Sequence, residues 1–275
     1  MSEYPLGTSD LELDRLSFQH EVWGPTTRAF LGRLGVGPGM RVLDLGCGPG
    51  LVSFDLAAMV GPSGSVVALD ESERWIGHVE GEARRRALAN VSPVRARIQD
   101  FEREQVTCGL LEPGSFDVVF ARWVFSFLPE PGAVAARLAR LLSPRGVLAI
   151  QDYNHEGISV FPESEGFRAV IRATRATYAR AGGDAFVSGR IAAVFAAAGL
   201  EIVDLRANAL CGGPDSPAFR WADRFFPHFS GVMEERGLLS GADRAQYLRE
   251  WEERKRDPNA LFFSPLIVDA AGRRR

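Results

Sequence analysis

Short apolar runs alternate with segments of helical period over the first 152 residues, and that alternation constrains the fold more than any other feature. Residues 41–45, 65–69, 94–98, 116–121 and 147–151 read as strands, each ending at a polar residue or a glycine-rich turn. Between them, residues 51–60, 72–89 and 131–142 read as helices. In the last of these Val134, Leu138, Leu141 and Leu142 share one face at spacings i, i+4, i+7 and i+8. The strand segments do not alternate polar and apolar residues. A strand that is apolar throughout is buried on both faces, which predicts a parallel sheet with helices on each side.

The flanks read differently. Residues 11–34 are helical in pattern, with an expected break near Gly24-Pro25, where Pro25 can open a second helix at its first turn. Gly35 to Gly39 then supply the stop. Downstream, residues 163–181 are helical, and Ile191, Val194, Phe195 and Ala198 mark a helix stopped by Gly199. Residues 201–208 alternate like a strand, 216–251 form a helical stretch rich in aromatics and charges, and 262–268 form a last strand.

Composition narrows the class. Of 275 residues, 46% are hydrophobic and 24% charged, with a formal net charge of −3, so neither disorder nor a polyanionic partner is expected. The C-terminal basic run, Arg273-Arg274-Arg275, reads as a frayed, solvated tail. Cys47, Cys108 and Cys211 are odd in number and widely spaced; they fit reduced cytoplasmic thiols better than a disulfide framework or a metal site. Residues 1–14 are acidic and lack a signal-peptide core, and no apolar run of about 18 residues exists to span a membrane. Lys255 is the only lysine among many arginines, a bias expected of a GC-rich bacterial genome.

The chemistry is concentrated at Val42-Leu43-Asp44-Leu45-Gly46-Cys47-Gly48-Pro49-Gly50, where a strand runs through glycines into a helix. Glycines let the backbone turn sharply and a ligand approach closely, and the helix start offers free N–H groups. Asp70 ends the next strand, where a carboxylate can accept from both hydroxyls of a ribose, and Asp100 follows the third. Each acid alone could be a turn or a cap. Together, at the carboxyl edge of successive strands, they indicate a nucleoside site. The glycine spacing is not GxGxxG, the dinucleotide fingerprint. Asp44, two residues before Gly46, would repel a pyrophosphate and attract an ammonium group, which favours an aminoacyl nucleoside over NAD.

At these residues the chain resembles the class I S-adenosylmethionine-dependent methyltransferases, in particular a bacterial small-molecule subgroup. Val42 to Gly50 is similar to their first motif, Val66 to Asp70 to the second, and Gln99-Asp100-Phe101 to the adenine-contacting segment. Residues 116–120 resemble the fourth-strand motif and residues 141–148 the turn before the fifth strand, with Arg145 where glycine is usual. Phe18-Gln19 and residues 25–28 resemble the subgroup's leader. The likeness covers roughly residues 17–154. It implies a Rossmann-like α/β fold: a seven-stranded, mostly parallel sheet with helices on both faces, plus helical lid elements. It also implies three parts: an N-terminal helical cap (1–36), a cofactor-binding core (37–155) and a C-terminal part completing the sheet and covering the acceptor (156–275).

The resemblance implies S-adenosylmethionine as cofactor. Backbone atoms of Gly46, Cys47, Gly48 and Gly50 would line its methionine end, with Asp44 on the amino group and Asp70 on the ribose. Asp100 and the Phe101 N–H would meet the adenine, with Trp75 as the apolar residue against it. Arg122 would contact the cofactor carboxylate or the acceptor, or else form a structural ion pair. Phe127 stands where many relatives carry histidine, so no base is available there. Two other histidines are candidate catalytic bases: His155, otherwise a surface-loop residue, and His20, otherwise a plain helix-face residue. His228 is a candidate for the acceptor pocket or an aromatic cluster, and His78 is expected to be solvated. Methyl transfer depends chiefly on proximity and orientation and needs a base only when the acceptor must lose a proton early.

The expected activity is transfer of a methyl group to a small, largely apolar metabolite, with oxygen favoured, in secondary metabolism. Trp221, Phe225, Phe226, Phe229 and Trp251 either line the acceptor pocket or pack between helices. No metal, nucleic acid or membrane partner is expected, and a homodimer is open. Rival readings are cofactor binding without catalysis and, further off, an NAD(P)-dependent oxidoreductase.

Overall fold

The computed structural model describes residues 9–98 and 109–274. The chain runs α1 (Asp10–Arg33), β1 (Arg41–Leu45), α2 (Leu51–Val60), β2 (Ser65–Asp70), α3 (Glu73–Arg85), β3 (Val91–Arg95), β4 (Phe116–Arg122), α4 (Pro131–Ala139), β5 (Leu142–Asn154), β6 (Ser159–Phe161), α5 (Glu165–Arg180), α6 (Ile191–Ala197), β7 (Leu200–Asn208), β8 (Cys211–Gly212), α7 (Pro217–Glu235), α8 (Gly241–Arg256), β9 (Leu261–Phe263) and β10 (Leu266–Arg274). Among the described residues, seven strands form a sheet in the order β3-β2-β1-β4-β5-β10-β7, and β6-β9-β8 form a small second sheet. β1 pairs in parallel with β2 and β4, as do β2 with β3 and β4 with β5. β10 is antiparallel to both neighbours, β5 and β7. This is the seven-stranded, mostly parallel architecture expected.

The two sheet faces follow from strand parity. Leu43, Leu45, Val67, Leu69, Val119, Ala121, Leu148 and Ile150 bury one face against α4 and α6. Val42, Val66, Ala68, Val118, Phe120 and Ala149 bury the other against α1, α2 and α3. Each fully buried Leu, Val or Phe side chain contributes roughly 1.5–3 kcal/mol. That two-sided burial is why these strands are apolar at most positions. A third core joins α5, α7 and α8 around Phe167, Phe219, Trp251 and Phe262. Trp221, Phe226, Phe229 and Trp251 are buried in it, so packing is their structural role, and His228 lies exposed on α7.

Several boundaries differ from expectation for local reasons. α1 is unbroken, with Pro25 inside it and Ser9 accepting from Glu12 N at its start. β3 lies three residues earlier than expected, because Pro93 sits on the edge strand, where a missing N–H is tolerated. β5 begins at Leu142 and includes the 144–146 stretch. A Cβ on Gly146 would lie 2.5 Å from the Phe116 carbonyl oxygen, so that position must be glycine, whereas Arg145 is exposed. The helical stretch 216–251 is two helices parted at Gly237, whose φ is +69°. The last strand is also two: β9 belongs to the small sheet and β10 to the large one. The C-terminal arginines are no frayed tail. Arg273 and Arg274 lie in β10, Arg273 pairs with Glu201 at 3.1 Å, and Arg274 donates to the Leu142 carbonyl; Arg275 lies outside the described residues.

α1 is fixed to the sheet by polar contacts beneath its apolar ones. Thr27 Oγ1 donates to Gln151 Oε1 at 2.6 Å, Gln151 Nε2 donates to Asp269 Oδ1 at 2.7 Å, and Arg33 Nη2 bridges Asp269 and Asp204. Thr27→Val keeps the shape and removes the hydroxyl, stranding a buried amide oxygen. Such a loss costs about 1–3 kcal/mol. Chemical denaturation should show a stability loss of that size with little change in denaturant slope.

Candidate functional site

The strand order reverses between β1 and β4: the chain passes from β1 outward to β2 and β3 and returns to β4 beside β1. The carboxyl ends of β1 and β4 therefore face a crevice at a topological switch point, the usual ligand position in open α/β sheets. Gly46 to Gly50 follow β1 and Arg122 ends β4, brought level by the pairing of Leu45 with Ala121.

The loop after β1 is held by its own backbone. Cys47 N donates to Leu69 O at 2.9 Å and Gly50 N to Cys47 O at 3.0 Å. Gly46, Gly48 and Gly50 all have positive φ. A Cβ on Gly46 would meet Val124 Cγ2 at 2.6 Å, whereas one on Gly48 would meet nothing within 4 Å. The loop thus packs against β4's exit on one side and leaves open space at Gly48. Gly50 caps α2 without a side chain, so the first N–H groups of that helix have no capping side chain.

Three carboxylates have distinct surroundings. Asp44 is 2% exposed and accepts from Ser53 Oγ at 2.6 Å; burial pushes its carboxyl up to about 6, against that hydrogen bond and the attraction of Arg122. Asp70 accepts from Gly48 N and Ser72 N, each at 2.9 Å, and burial raises its carboxyl. Asp152 is fully buried on β5, accepts from Ser126 N at 3.1 Å and Tyr153 N at 2.8 Å, and is pushed up to about 6 by burial. It pins the turn after β4. The Cys47 thiol is also buried and pushed well up by burial, which keeps it a thiol.

Arg122 anchors the other wall. Burial pushes its guanidinium down to about 10, with Asp44 opposing. Its Nη1 donates to Thr27 Oγ1 and to His20 Nδ1, both at 3.2 Å. Because Nδ1 accepts, the His20 proton sits on Nε2, which faces Asp55 Oδ2 at 3.4 Å. Arg28 Nη1 donates to the same oxygen at 2.9 Å. Both ring nitrogens of His20 are therefore engaged. Arg122 also lies over the Trp123 ring, 4.5 Å from its centroid, and Trp123 stacks on Tyr153 at 5.5 Å.

His155 is not the surface residue one reading expected. It is 4% exposed, boxed by Tyr153, Tyr178 and Phe186, and burial together with the charge of Arg175 pushes its pKa down to about 3. At neutral pH the ring is neutral and a weak base. Phe127 stacks on Tyr178 at 4.9 Å. Trp75 is buried on α3 with His78, which is half-buried, against its edge. Asp100, Phe101 and Cys108 lie outside the described residues. The structure thus gathers Asp44, Gly46, Cys47, Gly48, Gly50, Asp70, Arg122 and His20 at one crevice, and sets His155 in its own aromatic box. It adds Ser53, Asp55, Thr27 and Gln151, which the sequence reading missed. The one signal for the last was a polar pair, Gln151-Asp152, inside an otherwise apolar strand.

A family model described as a methyltransferase domain matches residues 37–189. The chain belongs to the class I S-adenosylmethionine-dependent methyltransferase family. Nocamycin O-methyltransferase of Saccharothrix syringae is 38% identical over 130 residues, covering 47% of this chain and 44% of that protein. Demethylmenaquinone methyltransferase of Lactococcus lactis is 30% identical over 146 residues, covering 53% and 54%. The chain thus spans about half the length of the curated relatives it matches. Among solved structures, a SAM-dependent methyltransferase from Aquifex aeolicus aligns with a TM-score of 0.54 at 22% identity, over 74% of this chain and 92% of that one. The cyclase SpnF aligns at 0.57 and 18%, over 91% and 80%. These structural likenesses establish the fold.

Gly46→Ala tests the loop. It combines a positive φ of +66° with the 2.6 Å approach to Val124. The left-handed conformation alone costs an L-residue roughly 1–2 kcal/mol. We expect a larger total loss in thermal or chemical unfolding, with Val124→Ala in the same chain recovering the part due to the clash.

Proposed function

We propose that this protein transfers the methyl group of S-adenosylmethionine to a small, largely apolar metabolite, most often at oxygen, and that it works in the cytoplasm of a bacterium. The observation that carries the reading is the buried Asp44 carboxylate at the end of β1, followed by a glycine loop that leaves open space at Gly48. A carboxylate so desolvated, with a serine hydroxyl as its hydrogen-bond partner, suits a cationic ligand group, and the glycine loop leaves room for one to approach. The donor set fits the cofactor. Asp44 would hold the amino group and Arg122 the carboxylate of its methionine end. Backbone atoms of Gly46, Cys47, Gly48 and Gly50 would line that end, and Asp70 would take the ribose hydroxyls. Trp75, with Asp100 and Phe101, would meet the adenine. When bound, S-adenosylmethionine supplies an electrophilic methyl group on a sulfonium.

The rest is positioning. The contacts of His20 and Thr27 with Arg122 hold α1 at the crevice, where it would exclude water. Trp123 and Tyr153 would form the wall for a flat acceptor. His20 holds Arg122 through the nitrogen a base would need, and His155 is a weak base at neutral pH, so we assign neither the proton transfer that would open the reaction. Orientation supplies the rate instead, on the order of 7–11 kcal/mol at best. Names among the relatives, such as nocamycin O-methyltransferase and a ubiquinone biosynthesis O-methyltransferase, support oxygen as the methylated atom. With His20 engaged at both ring nitrogens and His155 a weak base, a second reading is cofactor binding without turnover. Methyl transfer to any member of an acceptor panel would eliminate it.

Calorimetry with S-adenosylhomocysteine, and NAD as control, tests the cofactor site. We expect one-to-one binding, loss of it in Asp70→Ala, and no NAD binding; NAD binding in its place would overturn the assignment. The pH dependence has a definite sign. The ammonium needs Asp44 ionised, and that carboxyl titrates at about 6. Affinity should be level above pH 7 and fall below 6, approaching about tenfold per pH unit. Asp44→Asn should weaken binding at pH 8 by about ten- to a hundredfold, the worth of a charged hydrogen bond, and flatten the pH dependence.

A further inference from the structure

Outside the crevice, a cavity of 260 Å³ opens between β6 and α5. Its floor is apolar, made by Val160, Phe167 and Ile171, all buried. Its rim is cationic. Arg168, Arg172 and Arg175 stand at i, i+4 and i+7 on one face of α5 and all line the opening.

These three arginines are not equivalent. Arg168 is neutralised by Glu163 and Glu165, each at 2.6 Å, and Glu163 is the acid at the rim. Arg175 donates to the His155 carbonyl and lies over the Phe186 ring at 4.9 Å, but no carboxylate pairs with it among the described residues, and its buried Nε has no hydrogen-bond partner. Arg172 has no hydrogen-bond or ion-pair partner among the described residues. Two uncompensated guanidiniums three residues apart on one helix face repel each other. A fork of N–H donors matches a carboxylate or phosphate in two-point geometry. At the mouth, Phe161 and Phe263 remain 45% and 36% exposed and pack edge to face at 6.0 Å, which extends the apolar floor outward.

We propose that this cleft binds a small amphipathic anion, with its carboxylate or phosphate head on Arg172 and Arg175 and its apolar body on Val160, Ile171 and Phe161. The volume lies just below the range of about 300–1,000 Å³ typical of drug-sized ligands, so the fit is a compact molecule. The inference stands on the cleft alone, apart from the methyl-transfer reading.

The test is ligand-observed NMR titration of the full chain with hexanoate, hexyl phosphate and the neutral 1-hexanol. We expect saturation transfer from the protein to at least one of the two anions, with 1-hexanol at least about tenfold weaker. Arg172→Ala, at an exposed position, should raise the Kd of the anion about tenfold or more, and Arg172→Lys should restore part of it. Binding of only one anion identifies the head group. Absence of binding by both, equal binding of 1-hexanol, or an unchanged Kd in Arg172→Ala would each overturn the proposal.

Discussion

The hydrogen bond between Thr27 and Gln151, 2.6 Å long with both side chains fully buried, organises this molecule more than its length suggests. It is the midpoint of a polar line through the protein. From Gln151 the line runs to Asp269 and Arg33, tying β5 and β10 to the end of α1. From Thr27 it runs to Arg122, His20 and Asp55, tying the middle of α1 to β4 and α2. A buried polar group without a partner costs a few kcal/mol, so each member of such a line fixes the position of the next. An apolar α1 could slide along the sheet. With Thr27 and Gln151 in register it cannot, and His20, seven residues before Thr27, is delivered to Arg122 at the mouth of the crevice.

Charge at the crevice follows from the same burial. Desolvation pushes the Asp44 carboxyl up and the Arg122 guanidinium down, each toward its neutral form, and each is partly restored by the other. Asp55 escapes that fate: burial works against its carboxylate too, but hydrogen bonds from His20 and Arg28 hold it below the usual range. The difference is access to donors. Asp55 has two cationic or polarised partners in contact, while Asp44 has a serine hydroxyl and a cation at longer range. The crevice therefore keeps one acid and one base incompletely compensated, a pattern complementary to a zwitterion and unlike that of a pyrophosphate site.

Much of the sheet was legible because a doubly covered strand has to be apolar throughout, and glycines mark where the chain leaves it. Strands β1 and β2 and helix α2 were readable nearly to the residue, since Gly46 and Gly61 leave the chain no choice. β3 starts earlier than expected and takes in Pro93, which only an edge position, invisible in one sequence, makes acceptable. The continuity of α1 past Gly24-Pro25 depends on packing against α2 and α7, which local propensity does not record. The glycines and acids of the crevice were legible for the same reason as the strands that carry them. Ser53, Thr27 and Asp55 were not, because a hydroxyl or carboxylate on a helix face looks solvated until its partner, far away in sequence, is placed. His155 shows the converse: its neighbours suggested a loop, and three aromatic rings from separate segments bury it.

Trp123 shows how these parts are coupled. Its φ is +58°, a left-handed backbone at a bulky residue, and such strain of order 1–3 kcal/mol persists only where the surroundings over-determine it. Here they do. Trp123 N donates to Gln151 O at 2.9 Å, Arg122 lies over the ring, and Tyr153 stacks on it within 4° of parallel. All three restraints come from residues toward the carboxyl ends of β4, which borders the crevice, and its neighbour β5. Relaxing Trp123 to an ordinary conformation would turn its ring out of the stack and release Arg122 and Tyr153 together. The strain is thus held by the same register that sets Thr27 against Gln151, and Arg122 and the Trp123–Tyr153 stack are restrained together.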